Sequence, residues 1–444
     1  MKRSKHLKDM LGLLGTRVVW AAIGMISGII LARWLGPHDR GIMALVLLLP
    51  STLVTLVKFG TAQANVYTIN RRQAPIDNVA SNAVVLAAFW GFTTAALVWV
   101  FRDHLTSSVL RDVPDWALVF ALIRTPVLLL DNYLFSILQA TGKFGTYNTR
   151  LLLSEVVRLV LLTVALVMFD LGLVAALVIY LGVWIMNVIW LTTTMGKTIN
   201  FRFSVDWPLL RETYSFGVRS YVQILTQHML IRVGFYMVSY YLGPAQLAFY
   251  TIALKFMELV LEVPQAIGLV LYPRLAALPD DEVHRITAQT CRRTLMATVP
   301  AAVLLTLVGR FLIVLWYGKD FAEAADPLPW AGAGVAMMSI YVIVTRDFTS
   351  RAQQAINTYS GLVALVVNAI LCWVWIPKYG ITGAAMATTV AYAAACVVLV
   401  AVFLRESGLP LLDLLVPQRE DVRYAVSVLK KVAKRIPGAG SVLR

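Results

Sequence analysis

Residues 359–404 read YSGLVALVVNAILCWVWIPKYGITGAAMATTVAYAAACVVLVAVFL, with Lys378 as the one charged side chain. Two apolar runs, Tyr359–Ile376 and Ile381–Leu404, flank the turn residues Pro377, Lys378, Tyr379 and Gly380. A run of about 18 apolar residues is long enough to cross the hydrocarbon core as a helix. Lipid offers no partner for backbone N–H and C=O groups, so such runs must be helices, and these are too long and too uniformly apolar for barrel strands. The stretch reads as a helical hairpin through a bilayer.

Ten runs of the same kind precede it: Leu11–Ala32, Ile42–Val66, Ala83–Phe101, Trp116–Leu138, Leu151–Phe169, Leu173–Met195, Phe216–Leu242, Phe249–Tyr272, Leu295–Leu315 and Leu328–Thr345. The expected class is an all-α polytopic membrane protein with twelve transmembrane helices. Composition agrees. The 444 residues are 59% hydrophobic and 14% charged, with a mean hydropathy of +0.74, whereas a soluble domain carries about 25% charged residues. The basic N-terminus, MKRSKHLKDM, starts like a signal peptide. The run behind it continues for about 20 residues, holds Arg17 and has no small-x-small cleavage site, so it reads as an uncleaved first span.

The formal charge is +15. In a soluble chain that would suggest nucleic acid; here the charges sit between apolar runs and set membrane orientation, so no nucleic-acid partner is expected. Placing the N-terminus inside gives 25 lysines and arginines in the inner segments and 6 in the outer loops. That positive-inside asymmetry predicts both termini in the cytoplasm. No outer loop is long enough for a domain. Cys291, Cys372 and Cys396 lack metal spacing and read as small core residues. Past the last span, Val422–Ile436 alternates apolar residues with Arg423, Lys430, Lys431, Lys434 and Arg435. This is an amphipathic basic helix suited to an anionic membrane surface.

The chain also repeats. ARWLGPHDRGIMAL follows span 1 and SYYLGPAQLAFYTIAL follows span 7, so Leu35-Gly36-Pro37 falls on Leu242-Gly243-Pro244. Each tripeptide would make a tight outer turn. LGP alone is a common turn sequence, but agreement in span number, orientation and position favours two parallel halves of six spans, a transporter signature. The expected divisions are 1–200, 207–404 and a basic cytoplasmic tail, 405–444.

Three segments carry a family resemblance: ILARWLGPHDRGIMAL, GRFLIVLWYGKDFAEAA and WIPKYGITGAAMATTVAY. With YYLGPAQLAFY and VPQAIGLVLYPRLAAL, they make residues 1–404 resemble Wzx-type polysaccharide flippases of the multidrug/oligosaccharidyl-lipid/polysaccharide exporter superfamily. The resemblance implies two six-helix lobes around a central cavity that opens alternately to each side. It implies a cargo, an oligosaccharide repeat unit on polyprenyl pyrophosphate, turned from the cytoplasmic to the outer leaflet of a bacterial inner membrane. Bilayer lipids, a polysaccharide polymerase and chain-length machinery would be its partners. Three rivals stand beside it. A drug or cation exporter of the same superfamily would need an acidic cavity. A membrane glycan polymerase or ligase typically needs a large outer loop. A flippase for a lipid-linked peptidoglycan precursor would show the same physics.

Ionisable residues inside spans are costly and usually face a cavity or a partner. The basic ones are Arg17, Lys58, Arg124, Arg158, Arg219, Arg232, Lys255 and Arg310; the acidic ones are Asp131, Glu155, Glu258 and Glu262. Cations outnumber anions, so a cavity lined by them would favour an anion. Arg219 and Arg310 lie near span ends, where snorkelling explains them equally well. The substrate-binding candidates are Arg17, Lys58, Arg124, Arg158, Arg232 and Lys255. Arg124 and Asp131 lie seven apart on one helix face, and Glu155 and Arg158 lie three apart and can pair. Asp131, Glu155, Glu258, Glu262 and His228 are candidates for coupling to protons or sodium. Pro50, Pro264 and Pro300 each remove a helical hydrogen bond inside a span. Gly196-Lys197-Thr198 is not a P-loop, because Leu191 occupies the earlier glycine position and no strand precedes it. No metal or nucleophile constellation is evident, so neither a cofactor nor an enzyme activity is expected.

Overall fold

The computed structural model describes residues 2–142, 144–196, 199 and 205–433. Side chains are described for the same residues except 2–18, 144–148, 219, 220, 280 and 428–433. Regular structure among them is helical: α1 (Lys2–Val57), α2 (Thr61–Arg71), α3 (Ile76–Val100), α4 (Arg102–Thr106), α5 (Asp115–Ala140), α6 (Phe144–Leu162), α7 (Gly172–Gly196), α8 (Trp207–Leu242), α9 (Pro244–Leu275), α10 (Asp280–Tyr317), α11 (Leu328–Ser350), α12 (Gln354–Ser407), α13 (Leu411–Leu415) and α14 (Arg419–Ala433). A π-helical turn, Thr163–Met168, ends α6, and a 3₁₀ segment, Lys319–Ala325, follows α10.

Among the described residues, eight helices are long and apolar enough to cross a membrane. Two of them, α1 and α12, are double spans; the 54 residues of α12 would run about 80 Å, against a hydrocarbon core of about 30 Å. Each bends at one glycine. The remaining two crossings are α8 and α9, of 36 and 32 residues. They are long enough, but His228 and Arg232 interrupt the first, and Lys255, Glu258 and Glu262 the second. Twelve spans result.

The turns at the LGP repeats are tighter than any loop. Gly36 sits at φ 73°, ψ 175° and Gly243 at φ 84°, ψ −178°. Both halves of the LGP repeat thus adopt the same backbone conformation, one that essentially only glycine reaches. Gly380, in the turn first read from the sequence, has φ 60° and ψ −142°.

Span 2 differs from the sequence expectation. The run Ile42–Val66 is not one helix: α1 stops at Val57 and α2 starts at Thr61. Phe59 and Gly60 both have positive φ, 42° and 71°. Tertiary packing explains the break. The Phe59 ring inserts among Trp90, Tyr214 and Tyr221, with centroids 5.3–6.0 Å away. Gly60 meets the Gly217 backbone so closely that a Cβ on Gly60 would lie 2.2 Å from the Gly217 carbonyl oxygen.

Internal contacts divide the chain into two compact units. The first comprises Met1–Thr251, Phe311–Ala324 and Ile376–Ile381; the second comprises Ile252–Arg310, Ala325–Trp375 and Thr382–Arg444. In the first, α5 packs against α3 and α7, and α6 against the first arm of α1. A Cβ on Gly91 would lie 2.5 Å from Pro126, so α3 and α5 touch backbone to ring. The charge-free faces of α3 and α7 leave Phe89, Phe92, Val174 and Ile189 exposed. In the second unit, Ala384, Ala387, Ala391 and Ala395 of α12 are buried, so the small-residue face packs inward. The start of α10 and the ends of α11 and α12 meet at a fully buried Asp347. It accepts hydrogen bonds from Arg351 Nε (2.8 Å) and Nη2 (2.6 Å), and its other oxygen lies 3.4 Å from His284 Nδ1. Arg351 Nη1 donates to Glu406 at 2.6 Å.

Candidate functional site

The second arm of α1 and the length of α8 run antiparallel. They meet at one end where a Cβ on Gly41 would lie 1.9 Å from the Pro244 carbonyl oxygen, and at the other where Gly60 meets Gly217. From Gly41 to the end of α1 at Val57 the helix rises about 24 Å, most of the thickness of a hydrocarbon core. Between these contacts lies a polar cluster. His228, Arg232 and Tyr236 recur every fourth residue of α8 and so share one face. Thr52, Thr55 and Lys58 approach from α1. Tyr236 Oη donates to Thr52 Oγ1 at 2.9 Å, and Thr55 Oγ1 lies 3.4 Å from His228 Nδ1. Lys58 and Arg232 are both near enough for their charges to act on the His228 ring. The guanidinium of Arg232 stands 5.8 Å from the Phe235 ring centre, and His228 Nε2 is buried without a hydrogen-bond partner.

A second cluster fills the interior of the same unit. Asp131 on α5 takes Arg150, not Arg124, as its ion-pair partner. Arg150 Nε also donates to Asn187 Oδ1 at 3.3 Å, and Ser154 Oγ donates to that oxygen at 2.8 Å. Glu155 accepts from Arg158 Nη1 at 2.6 Å and from Trp20 Nε1 at 3.1 Å. Arg158 lies over Tyr180, 4.7 Å from the ring centre. Arg124 turns the other way, donating from Nη1 to the Leu47 carbonyl at 3.0 Å and standing 5.4 Å from the Trp184 ring centre. Leu47 lies three residues before Pro50, in the turn that the proline ring crowds and deprives of a hydrogen bond. The Nε atoms of Arg124 and Arg158 are buried without partners.

The structure therefore sorts the expected site residues into three groups. Lys58, His228 and Arg232 come together on α1 and α8. Arg124, Asp131, Glu155 and Arg158 come together on α5 and α6. Lys255 and Glu258 pair with each other at 2.9 Å on an exposed face of α9 in the second unit, with Glu262 one turn further on and exposed. The Arg17 side chain lies outside the described residues. Sequence reasoning missed Arg150, Ser154, Asn187, Thr52, Thr55 and Tyr236. Arg150 stands at the edge of the Leu151–Phe169 run, where nothing local in the sequence places it beside Asp131.

Chemically, the α1–α8 cluster offers hydrogen-bond donors and positive charge. Among the described residues no carboxylate pairs with Lys58. In the second cluster both carboxylates are engaged by arginine, leaving the Arg124 charge in excess. Guanidinium and ammonium groups on threonine- and tyrosine-lined helices suit a phosphate- or carboxylate-bearing ligand.

The sequence profile described as "Polysaccharide biosynthesis protein" matches residues 30–326. A protein of Haloferax volcanii, "Probable low-salt glycan biosynthesis flippase Agl15", is 18% identical over 187 residues. That match takes in 41% of this chain and 40% of the relative's length. Among solved structures, "Lipid II flippase MurJ, inward closed conformation" superposes with a TM-score of 0.76 at 14% identity, over 95% of this chain and 92% of the other. An inward-facing multidrug resistance MATE family transporter of the MOP superfamily gives 0.69 at 15% identity, over 93% and 96%. These likenesses show the twelve-helix, two-lobe transporter fold.

Proposed function

The chain belongs to the polysaccharide biosynthesis protein family, and from that premise we propose that it turns a polyprenyl-pyrophosphate-linked oligosaccharide from the cytoplasmic to the outer leaflet of a bacterial inner membrane. Its fold is that of transporters rather than of enzymes. The observation that carries the reading is the grouping of Lys58, His228 and Arg232 between the two glycine contacts of α1 and α8. A cationic, donor-rich site between those contacts matches a pyrophosphate headgroup and is the wrong sign for a cationic drug.

The mechanism we put forward is alternating access by two six-helix lobes, residues 1–200 and 207–404, with both termini in the cytoplasm. The headgroup enters the cationic site while the lipid tail stays in the bilayer. Arg124 and Arg158 extend the positive field from the neighbouring cluster. Coupling to protons or sodium falls to His228, Glu258 and Glu262, because Asp131 and Glu155 are held by arginine. A polymerase and chain-length machinery would take the product on the far side.

The test is complementation of a deletion strain. Arg232→Ala and Arg124→Ala should each abolish export of the glycan while the protein stays in the membrane at wild-type abundance. The lipid-linked sugar that accumulates inside then identifies the cargo and separates this reading from a peptidoglycan-precursor flippase. Normal export by both variants would refute the cationic site.

A further inference from the structure

The chain beyond the last span does not hang free. Asp421, in the first turn of α14, is completely buried and accepts from Arg292 Nε at 2.7 Å and from Arg293 Nε at 2.9 Å. The Gln418 backbone N–H donates to the same carboxylate at 3.1 Å, and Arg292 Nη1 donates to the Asp413 carbonyl. The Arg293 guanidinium also stacks 4.1 Å from the centre of the Tyr424 ring. Two arginines from the inner part of α10 thus grip both α13 and the start of α14. Burial pushes the Asp421 carboxyl up, but the bonds from Arg292, Gln418 and Arg293 outweigh it and hold the group below the ordinary aspartate range.

The grip fixes which face of the tail looks away from the body. Leu411, Leu412, Val416, Val422 and Val426 are all between 44% and 67% exposed. Five large apolar side chains within sixteen residues (411–426) form a patch of the kind that marks an interaction surface. Val422 and Val426 stand one turn apart on α14. At about 100° per residue, Arg419 and Arg423 fall on the adjoining strip of the helix. The Asp421 charge is already neutralised by two arginines, so the strip is left positive. An apolar stripe bordered by basic residues is what an interfacial helix presents to acyl chains and anionic headgroups.

We infer that residues 411–433 form a membrane-surface anchor seated on anionic lipid, bolted through Asp421 to the inner end of α10. The leaflet touched follows from the orientation proposed above; contact with lipid does not. The anchor keeps the inner end of α10 at a fixed height relative to the headgroups and lets the lipid charge bear on that helix.

The experiment uses the full chain in nanodiscs. Cys291, Cys372 and Cys396 are buried, so one introduced cysteine labels selectively with a polarity-sensitive fluorophore. In phosphatidylglycerol-containing discs, Val426→Cys should be quenched by acrylamide several-fold less than Ser427→Cys, and the gap should narrow in phosphatidylcholine discs and in high salt. Equal quenching at the two positions would overturn the inference. So would shielding at 426 that persists in detergent and rises with protein concentration, which would mark a second copy as the occupant. Asp421→Asn, or Arg292→Gln should the first fold poorly, should keep the shielding but lower the probe's fluorescence anisotropy. Unchanged anisotropy in both variants would refute the bolt. None of these readouts depends on transport, so failure here leaves the proposed cargo standing.

Discussion

Gly36 and Gly41 lie five residues apart and resist alanine for different reasons. A Cβ on Gly36 meets nothing within 4 Å, but its φ of 73° and ψ of 175° are forbidden to an L side chain. Gly36→Ala should cost about 1–3 kcal/mol, the usual penalty of a strained backbone. At Gly41 the obstacle is the Pro244 carbonyl, so Gly41→Ala must push two backbones apart. Thermal unfolding in detergent should find both less stable than wild type, with Gly243→Ala matching Gly36→Ala because the two turns share a conformation. The buried charges make a sharper case. Asp131→Ala strands Arg150 without its counter-ion and should destabilise by about 3–5 kcal/mol; a loss under 1 kcal/mol would mean the pair is weakly built. The sequence made every one of these charges visible, since an ionisable residue in an apolar run stands out. It could not supply their partners. Glu155 and Arg158 were legible because they share a helix turn, whereas Asp131 and Arg150 are joined only by the packing of α5 on α6.

At the scale of elements, helix existence was legible and helix continuity was not. The apolar runs located every span. The break at Lys58–Gly60 escaped, because Phe59 and Gly60 are compatible with a helix until aromatic neighbours and Gly217 are in place. Gly217→Val, and likewise Gly60→Val, should wedge α8 from the end of α1 and lower the unfolding temperature. If either leaves it unchanged, the backbone contact is not tight. The tail start was placed three residues late, since Asp421 reads as a polar interruption until Arg292 and Arg293 close on it. Its pH response has a definite sign. A carboxyl held below its unfolded value stabilises the tail at and above the ordinary aspartate range and loses that contribution as pH falls through the depressed value. Limited proteolysis of the tail should therefore be unchanged from pH 7 to about 5 and accelerate only below about 4. Release already near neutrality would contradict the clamp.

For the whole molecule, twelve spans and the family were accessible from hydropathy and a few outer-turn segments, because lipid allows few solutions to the backbone hydrogen-bond problem. The excess of buried positive charge was equally plain. What demanded coordinates was the division of that charge into one cluster where two carboxylates engage arginines, and another, Lys58 with His228 and Arg232, that faces the α1–α8 seam. The central claim is that this second cluster holds the anionic headgroup. Equilibrium binding of a polyprenyl-pyrophosphate-linked saccharide to the purified protein in nanodiscs tests it most directly. The account expects the Lys58→Gln, Arg232→Gln double variant to bind at least about tenfold more weakly, the loss expected when about 1.4 kcal/mol or more of charge-assisted hydrogen bonding is removed. Undiminished affinity in a variant that unfolds at the wild-type temperature would contradict it.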